Sequence, residues 1–163
     1  MLRWNLFTRN KAHISDEVIP SDISADEFSA RLAELAPSEE FFSAIGLTQR
    51  EIDMMRSGYS CTRISPKKDD DPLLDLCRSF DLKTMEIGTV KLRKPRQYND
   101  DLLIVGRDES DPIVYPKTGG IVSVRDHGSP DREMARCART PQGFLSALLL
   151  VEEYNTWSLL RLK

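Results

Sequence analysis

An α+β fold is predicted, with short N-terminal helices and a C-terminal helix packed on one antiparallel sheet. Three observations predict it. Helix-start signals crowd the first third of the chain and return near its end. Between them lie short runs rich in β-branched residues, separated by Gly, Pro, Asn and Asp. The gaps between those runs are too short for helical crossovers, so the strands must pair with their sequence neighbours in a meander.

Residues 1–20 mix polar and apolar side chains without a period and read as a loose arm, with Trp4, Leu6 and Phe7 available to dock it. Residues 21–163 read as a single domain. Ser24-Ala-Asp-Glu27 is a capping box, in which serine and glutamate satisfy orphan backbone donors at a helix start. Phe28, Leu32 and Leu35 follow on one face, and Pro37 ends the helix. Ser38 opens a second short helix carrying Phe41, Phe42 and Ile45, with Gly46 as its left-handed end. Thr48-Gln-Arg-Glu51 repeats the capping box, Ile52 and Met55 share the inner face, and Gly58 closes that helix.

Tyr59–Ile64 is a strand candidate, and 67–71 is a polar loop. Asp71-Pro72 combines an N-cap with proline at the first helical position, and Leu73, Leu74, Cys77 and Phe80 fill one face. Four strands are predicted next, at Met85–Leu92, Leu102–Val105, Ile113–Tyr115 and Ile121–Val124. Gly119-Gly120 is a hairpin turn between the last two. Thr140-Pro141 starts the closing helix, continued by Phe144, Leu145, Leu148, Leu149 and Glu152. Leu148–Val151 is apolar almost all round, which places this helix at the centre of the core.

A chain of 163 residues fits one domain, and 40% apolar with 30% charged residues excludes wholesale disorder. A net charge of −3 argues against direct, sequence-independent nucleic-acid binding. Lys91, Arg93, Lys94 and Arg96 form a local basic cluster, read as a solvated strand end. Three scattered cysteines give no disulfide framework and fit a reducing compartment. The start has no signal-peptide-like apolar run, and 147–151 is too short to span a bilayer. The expectation is a cytoplasmic protein with no membrane partner.

The chemistry-bearing residue types do not assemble into a motif. Asp126-His127-Gly128-Ser129 holds the residue types of a hydrolytic triad, but adjacent positions point apart and a turn explains the run. Cys61, Cys77, Cys137 and His127 lack the paired spacing of a zinc site. Lys117-Thr-Gly-Gly120 has the wrong order for a phosphate loop. No catalytic residue, cofactor or metal is expected. The acidic groups at 69–71, 99–101 and 108–111 suit either a solvated surface or a negative face that orients a basic protein partner.

The segments 101–108, 111–115, 119–124, 135–138 and 143–148 together resemble the C-terminal half of the SUKH superfamily, over about residues 85–150. There a strand ending in Gly precedes one with an acidic lead-in, then a Gly-Val strand and a helix with an Ala…Phe-Leu pattern. The resemblance implies an α+β fold and the role of a bacterial immunity protein, which binds and neutralises a cognate toxin, often a nuclease. Contacts to such a toxin, expected to present a basic surface, are assigned to Asp69, Asp70, Asp108, Glu109 and Asp111, with Tyr98 and Tyr115 as aromatic anchors. Two alternatives stay open. One is a small hydrolase or transferase using His127 with Asp126 or a carboxylate of the acidic loops; the other is a regulatory scaffold.

Overall fold

The computed structural model describes residues 23–161, so the expected arm with Trp4, Leu6 and Phe7 lies outside the described residues. Every predicted helix start is a formed cap. Helix α1 (Ala25–Glu34) begins where Ser24 accepts from the Glu27 amide, and α2 (Glu39–Ala44) where Ser38 accepts from Phe41. At α3 (Gln49–Ser57) both halves of the capping box form, the Thr48 amide donating to Glu51 Oε2 at 2.8 Å. Asp71 Oδ1 accepts from the Leu73 and Leu74 amides, both at 3.0 Å, to start α4 (Pro72–Ser79). Thr140 Oγ1 accepts from Gly143 at 3.0 Å to start α5 (Pro141–Leu160). Each such cap stabilises its helix by about 1 kcal/mol.

The Tyr59–Ile64 candidate reduces to β1 (Thr62–Arg63), which pairs with β2 (Phe80–Asp81) in a short ribbon. Phe80, expected on the α4 face, instead opens β2. Arg63 ties this ribbon to the helices, reaching Asp75 Oδ2 at 2.6 Å and Asp26 Oδ1 at 2.8 Å.

The main sheet runs β3 (Val90–Gln97), β4 (Leu102–Asp108), β5 (Asp111–Pro116), β6 (Val122–Arg125) and β7 (Glu133–Ala138), all antiparallel and in sequence order. This is the predicted meander. Gly119 and Gly120 both take positive φ in the β5–β6 connection, as the hairpin reading requires. The boundaries of β4, β5 and β6 move by one to three residues from expectation, and those of the first strand by five. The first strand starts at Val90 rather than Met85 and extends to Gln97; Met85 and Ile87 are core residues of the segment leading into it. Strand β7 has no counterpart in the sequence prediction.

Strands β3 and β4 are out of step by design of their register. Leu92 pairs with Gly106 and Arg96 pairs with Ile104, so Arg93, Lys94 and Pro95 face Val105 alone. This bulge bends the edge strand and re-aims its side chains. Gly106 makes the close approach possible: a Cβ there would sit 2.7 Å from the Lys91 carbonyl oxygen.

The main core joins α1, α4 and α5 to the sheet through Phe28, Leu73, Leu76, Phe144 and Leu145 against Ile113, Tyr115, Val122 and Val124. Phe41, Phe42 and Ile52 form a smaller cluster against Leu159. The placement of α5 differs from expectation. It buries only one side, through Leu145, Leu148, Leu149 and Glu152, while Leu150, Tyr154 and Trp157 on the other side are 50%, 51% and 48% exposed. Among the described residues no helix is long and apolar enough to cross a membrane.

Candidate functional site

The acidic loops divide between the two ends of β5, with 108–111 at its start and 69–71 and 99–101 towards its end. Asp108 and Asp111 pair across the two-residue β4–β5 turn, where Glu109 holds a positive φ of 53°. Asp69 and Asp70 belong to the loop before α4, whose Asp71 accepts a hydrogen bond from the Tyr115 hydroxyl. Tyr115 lies four residues along β5 from Asp111, about 13 Å at the rise of an extended strand. Most of these carboxylates also have internal work. Asp69 pairs with Arg78, Asp108 accepts from the Thr89 hydroxyl, and Asp111 binds His127. Among the described residues, the side chains of Asp70 and Glu109 carry no ion pair.

Of the two predicted aromatic anchors, Tyr115 serves the fold instead. Tyr115 is 0% exposed, so it cannot insert into a partner; its hydroxyl is turned inward to Asp71. Burial first, and the Asp71 carboxylate second, push that hydroxyl's pKa up. Tyr98 is half-buried, and its hydroxyl donates to the Pro130 carbonyl at 2.6 Å, bracing the end of β3 against the β6–β7 loop.

His127 does meet a carboxylate of the acidic loops. Asp111 Oδ1 accepts from the His127 backbone amide at 3.0 Å and lies 2.7 Å from ring Nδ1. The hydrogen bond to Asp111 raises the pKa of His127, and the same bond lowers that of Asp111. Asp126 completes a trio with one ligand atom from each side chain, all within 4.8 Å of one another. These are the described residues best placed to hold a cation. Competing bonds occupy them, however: Asp126 Oδ1 accepts from the Gly128 amide at 2.8 Å, and Arg132 stands 3.6 Å from Oδ2. The His127 side chain is 65% exposed, so the dyad lies in water, which weakens both proton transfer and ion capture. The cysteines take no part: burial pushes the Cys77 thiol up to about 12, and its Sγ points to the Val105 carbonyl.

The basic cluster proves to be part of a groove. A cleft of about 490 Å³ opens between α4, β2 and the β3 bulge. Arg78, Lys83, Lys91, Arg93, Lys94 and Arg107 line it, against the single carboxylate of Asp81. Its apolar wall comes from Phe80, Leu82, Met85 and Leu92. Sequence reasoning found Lys91, Arg93 and Lys94 but not their neighbours, because Arg78, Lys83 and Arg107 come from other elements.

The outer side of α5 is the second unexplained surface. Leu150, Tyr154 and Trp157 recur at i, i+4 and i+7, one stripe of the helix. The guanidinium of Arg161 lies over the Trp157 ring at 3.5 Å, and Tyr154 and Trp157 meet with centroids 6.3 Å apart. The sequence carries the signal, since Leu148–Val151 is apolar almost all round; the expected place at the centre of the core holds for one side of the helix alone. Neither a protein-family model, a curated protein nor a solved structure matches the chain.

Proposed function

We propose that this chain is a non-catalytic binding protein that takes a polypeptide partner on the outer face of α5. One observation carries the reading: α5 has large apolar residues on both sides, yet it buries only the side of Leu145, Leu148 and Leu149 and leaves Leu150, Tyr154 and Trp157 about half exposed beside Glu153. The composition fits a protein interface. Tyrosine, tryptophan and arginine dominate binding hot spots, because they bury large area with few rotatable bonds. Arg161 over the Trp157 ring, with the tilted Tyr154 ring beside it, restrains these side chains before binding, which reduces the ordering cost on association.

The SUKH resemblance supplies a biological version of this reading, in which the partner is a toxin and binding neutralises it. The charged contacts then come from Asp70 and Glu109, whose side chains are free to engage a basic surface. Their part is to steer the encounter, while the apolar stripe supplies the affinity.

The test is co-purification from the native host with the full chain as bait, comparing wild type, the double variant Tyr154→Ala/Trp157→Ala, and Asp70→Asn/Glu109→Gln. The reading predicts one polypeptide at constant stoichiometry, lost with the aromatic double variant. The acidic variant retains it with slower, less salt-sensitive association. Absence of any stoichiometric polypeptide, or one retained by the aromatic variant, overturns the reading. So does a concentration-dependent dimer abolished by the same variant, which would assign the stripe to self-association.

A further inference from the structure

We propose that the groove between α4, β2 and the β3 bulge binds a small organic phosphate of nucleotide size. The first argument is uncompensated charge. Of the six cations lining the groove, Arg78 is neutralised by Asp69 and Lys91 by Glu86. Among the described residues Lys83, Arg93, Lys94 and Arg107 form no ion pair, and Arg96 adds a further cation at the bulge's end. A chain of net charge −3 has carboxylates to spare, yet only Asp81 lines this groove. Like charges held together without counter-charge destabilise the fold unless an anion joins them.

The second argument is Arg93 itself. Its Nε is enclosed and has no hydrogen-bond partner in the protein. Arg125 Nε, outside the groove, is in the same position, so what distinguishes Arg93 is that its guanidinium also lines the groove with no carboxylate partner, and a ligand that draws it outward would let the buried donor be used. Burial, then Arg96 and Arg107, depress the pKa of Arg93, the direction expected where an anion is wanted. The third argument is backbone placement. Arg93 and Lys94 sit in the extra loop of the β3 bulge, made possible by the missing side chain of Gly106. Bulges that re-aim side chains are enriched beside functional sites.

The ligand class follows from the walls. Guanidinium forks at Arg93 and Arg107 match the oxygens of a phosphate better than they match a point charge. Exposed Ile64 is the apolar lining residue that an organic body attached to it would meet, with the core residues Phe80, Leu82, Met85 and Leu92 forming the floor behind it. The volume of about 490 Å³ falls within the range of sites for small molecules, rather than the long cationic track of a nucleic-acid polymer. The groove shares no residue with the α5 stripe, so the two assignments stand or fall separately.

Calorimetric titration of the full chain at low salt tests this, with adenosine 5′-monophosphate, adenosine, inorganic phosphate and a short single-stranded RNA as probes. The nucleotide should bind saturably, and adenosine and inorganic phosphate each at least about tenfold more weakly. Arg93→Gln and Lys94→Glu should each weaken the nucleotide by about tenfold or more, while Arg136→Gln, outside the groove, leaves it unchanged. Lys94 is exposed, so Lys94→Glu decides the matter if Arg93→Gln fails to fold. The proposal is overturned by no saturable nucleotide binding up to about 5 mM, or by unchanged affinity in Lys94→Glu. Adenosine or inorganic phosphate binding as tightly as the nucleotide also overturns it. RNA held more than about a hundredfold tighter than the nucleotide would replace a small-ligand site with a polymer track.

Discussion

Replacing Gly106 with alanine would put a Cβ 2.7 Å from the Lys91 carbonyl oxygen, 3.0 Å from a Leu92 methyl and 3.2 Å from Leu92 Cα. A carbon–oxygen contact needs about 3.3 Å, so strand β3 must retreat by about 0.6 Å. Two of the three obstacles are backbone, and the third belongs to a side chain buried in the core, so the strand cannot yield cheaply. Overpacking of this kind costs about 1–3 kcal/mol. Alanine also restricts the unfolded chain, which returns about 0.4–1 kcal/mol, since Gly106 does not use the left-handed region. The net expectation is a loss of about 1–2 kcal/mol, visible in urea as a midpoint lower by about 0.5–1 M. Gly128→Ala is the control: its Cβ meets only Asp126 Oδ1 at 3.4 Å, and the change should stay within about 0.5 kcal/mol. A Gly106→Ala variant as stable as wild type would refute the close approach, and with it the geometry that sets the β3 bulge.

Two further perturbations probe the polar clusters. Tyr115→Phe removes the hydroxyl that donates to Asp71, and urea denaturation should show a loss of about 1–2 kcal/mol with the fold retained. The Asp111–His127 pair predicts a pH signature. His127 is raised above its ordinary 6.5, so its contribution is complete below that pH and fades as pH rises through the folded value. Asp111 is lowered below its ordinary 3.8, so its contribution is complete above that pH and is lost on acidification through the folded value. The pair therefore acts most fully between those two limits. An NMR titration should place the His127 midpoint above 6.5, and Asp111→Asn should return it to the ordinary range. An unshifted His127 in the wild type would show that the bond does not persist in solution.

Legibility in the sequence tracked how local the cause was. The N-caps at Ser24, Ser38, Thr48, Asp71 and Thr140 are decided within three residues, and each was readable. The meander was readable from turn spacing. Strand β7 was not, because Glu133-Met-Ala-Arg-Cys-Ala138 has no β-branched residue and is a strand by pairing with β6. Strand β3 was misplaced for a related reason: its second half, Arg93-Lys94-Pro95-Arg96, is cationic with a proline, as suits an edge strand. The candidate sites depend on distant positions meeting. Charge alone could not tell that Asp69 and Asp108 satisfy internal partners, or that Arg78, Lys83 and Arg107 join the β3 cations. Tyr115 was misassigned because an isolated tyrosine in a β-branched run gives no sign of which face its ring takes. The α5 stripe was visible as composition, but the number of sides a helix buries is set by its neighbours.

The most direct measurement of the central claim is photo-crosslinking in the native host from a benzoyl-phenylalanine placed at position 154. A polypeptide partner on the outer face of α5 predicts one discrete heavier adduct, absent when the same probe replaces exposed Lys117. A crosslink formed only within the chain, or no adduct at all, would contradict it.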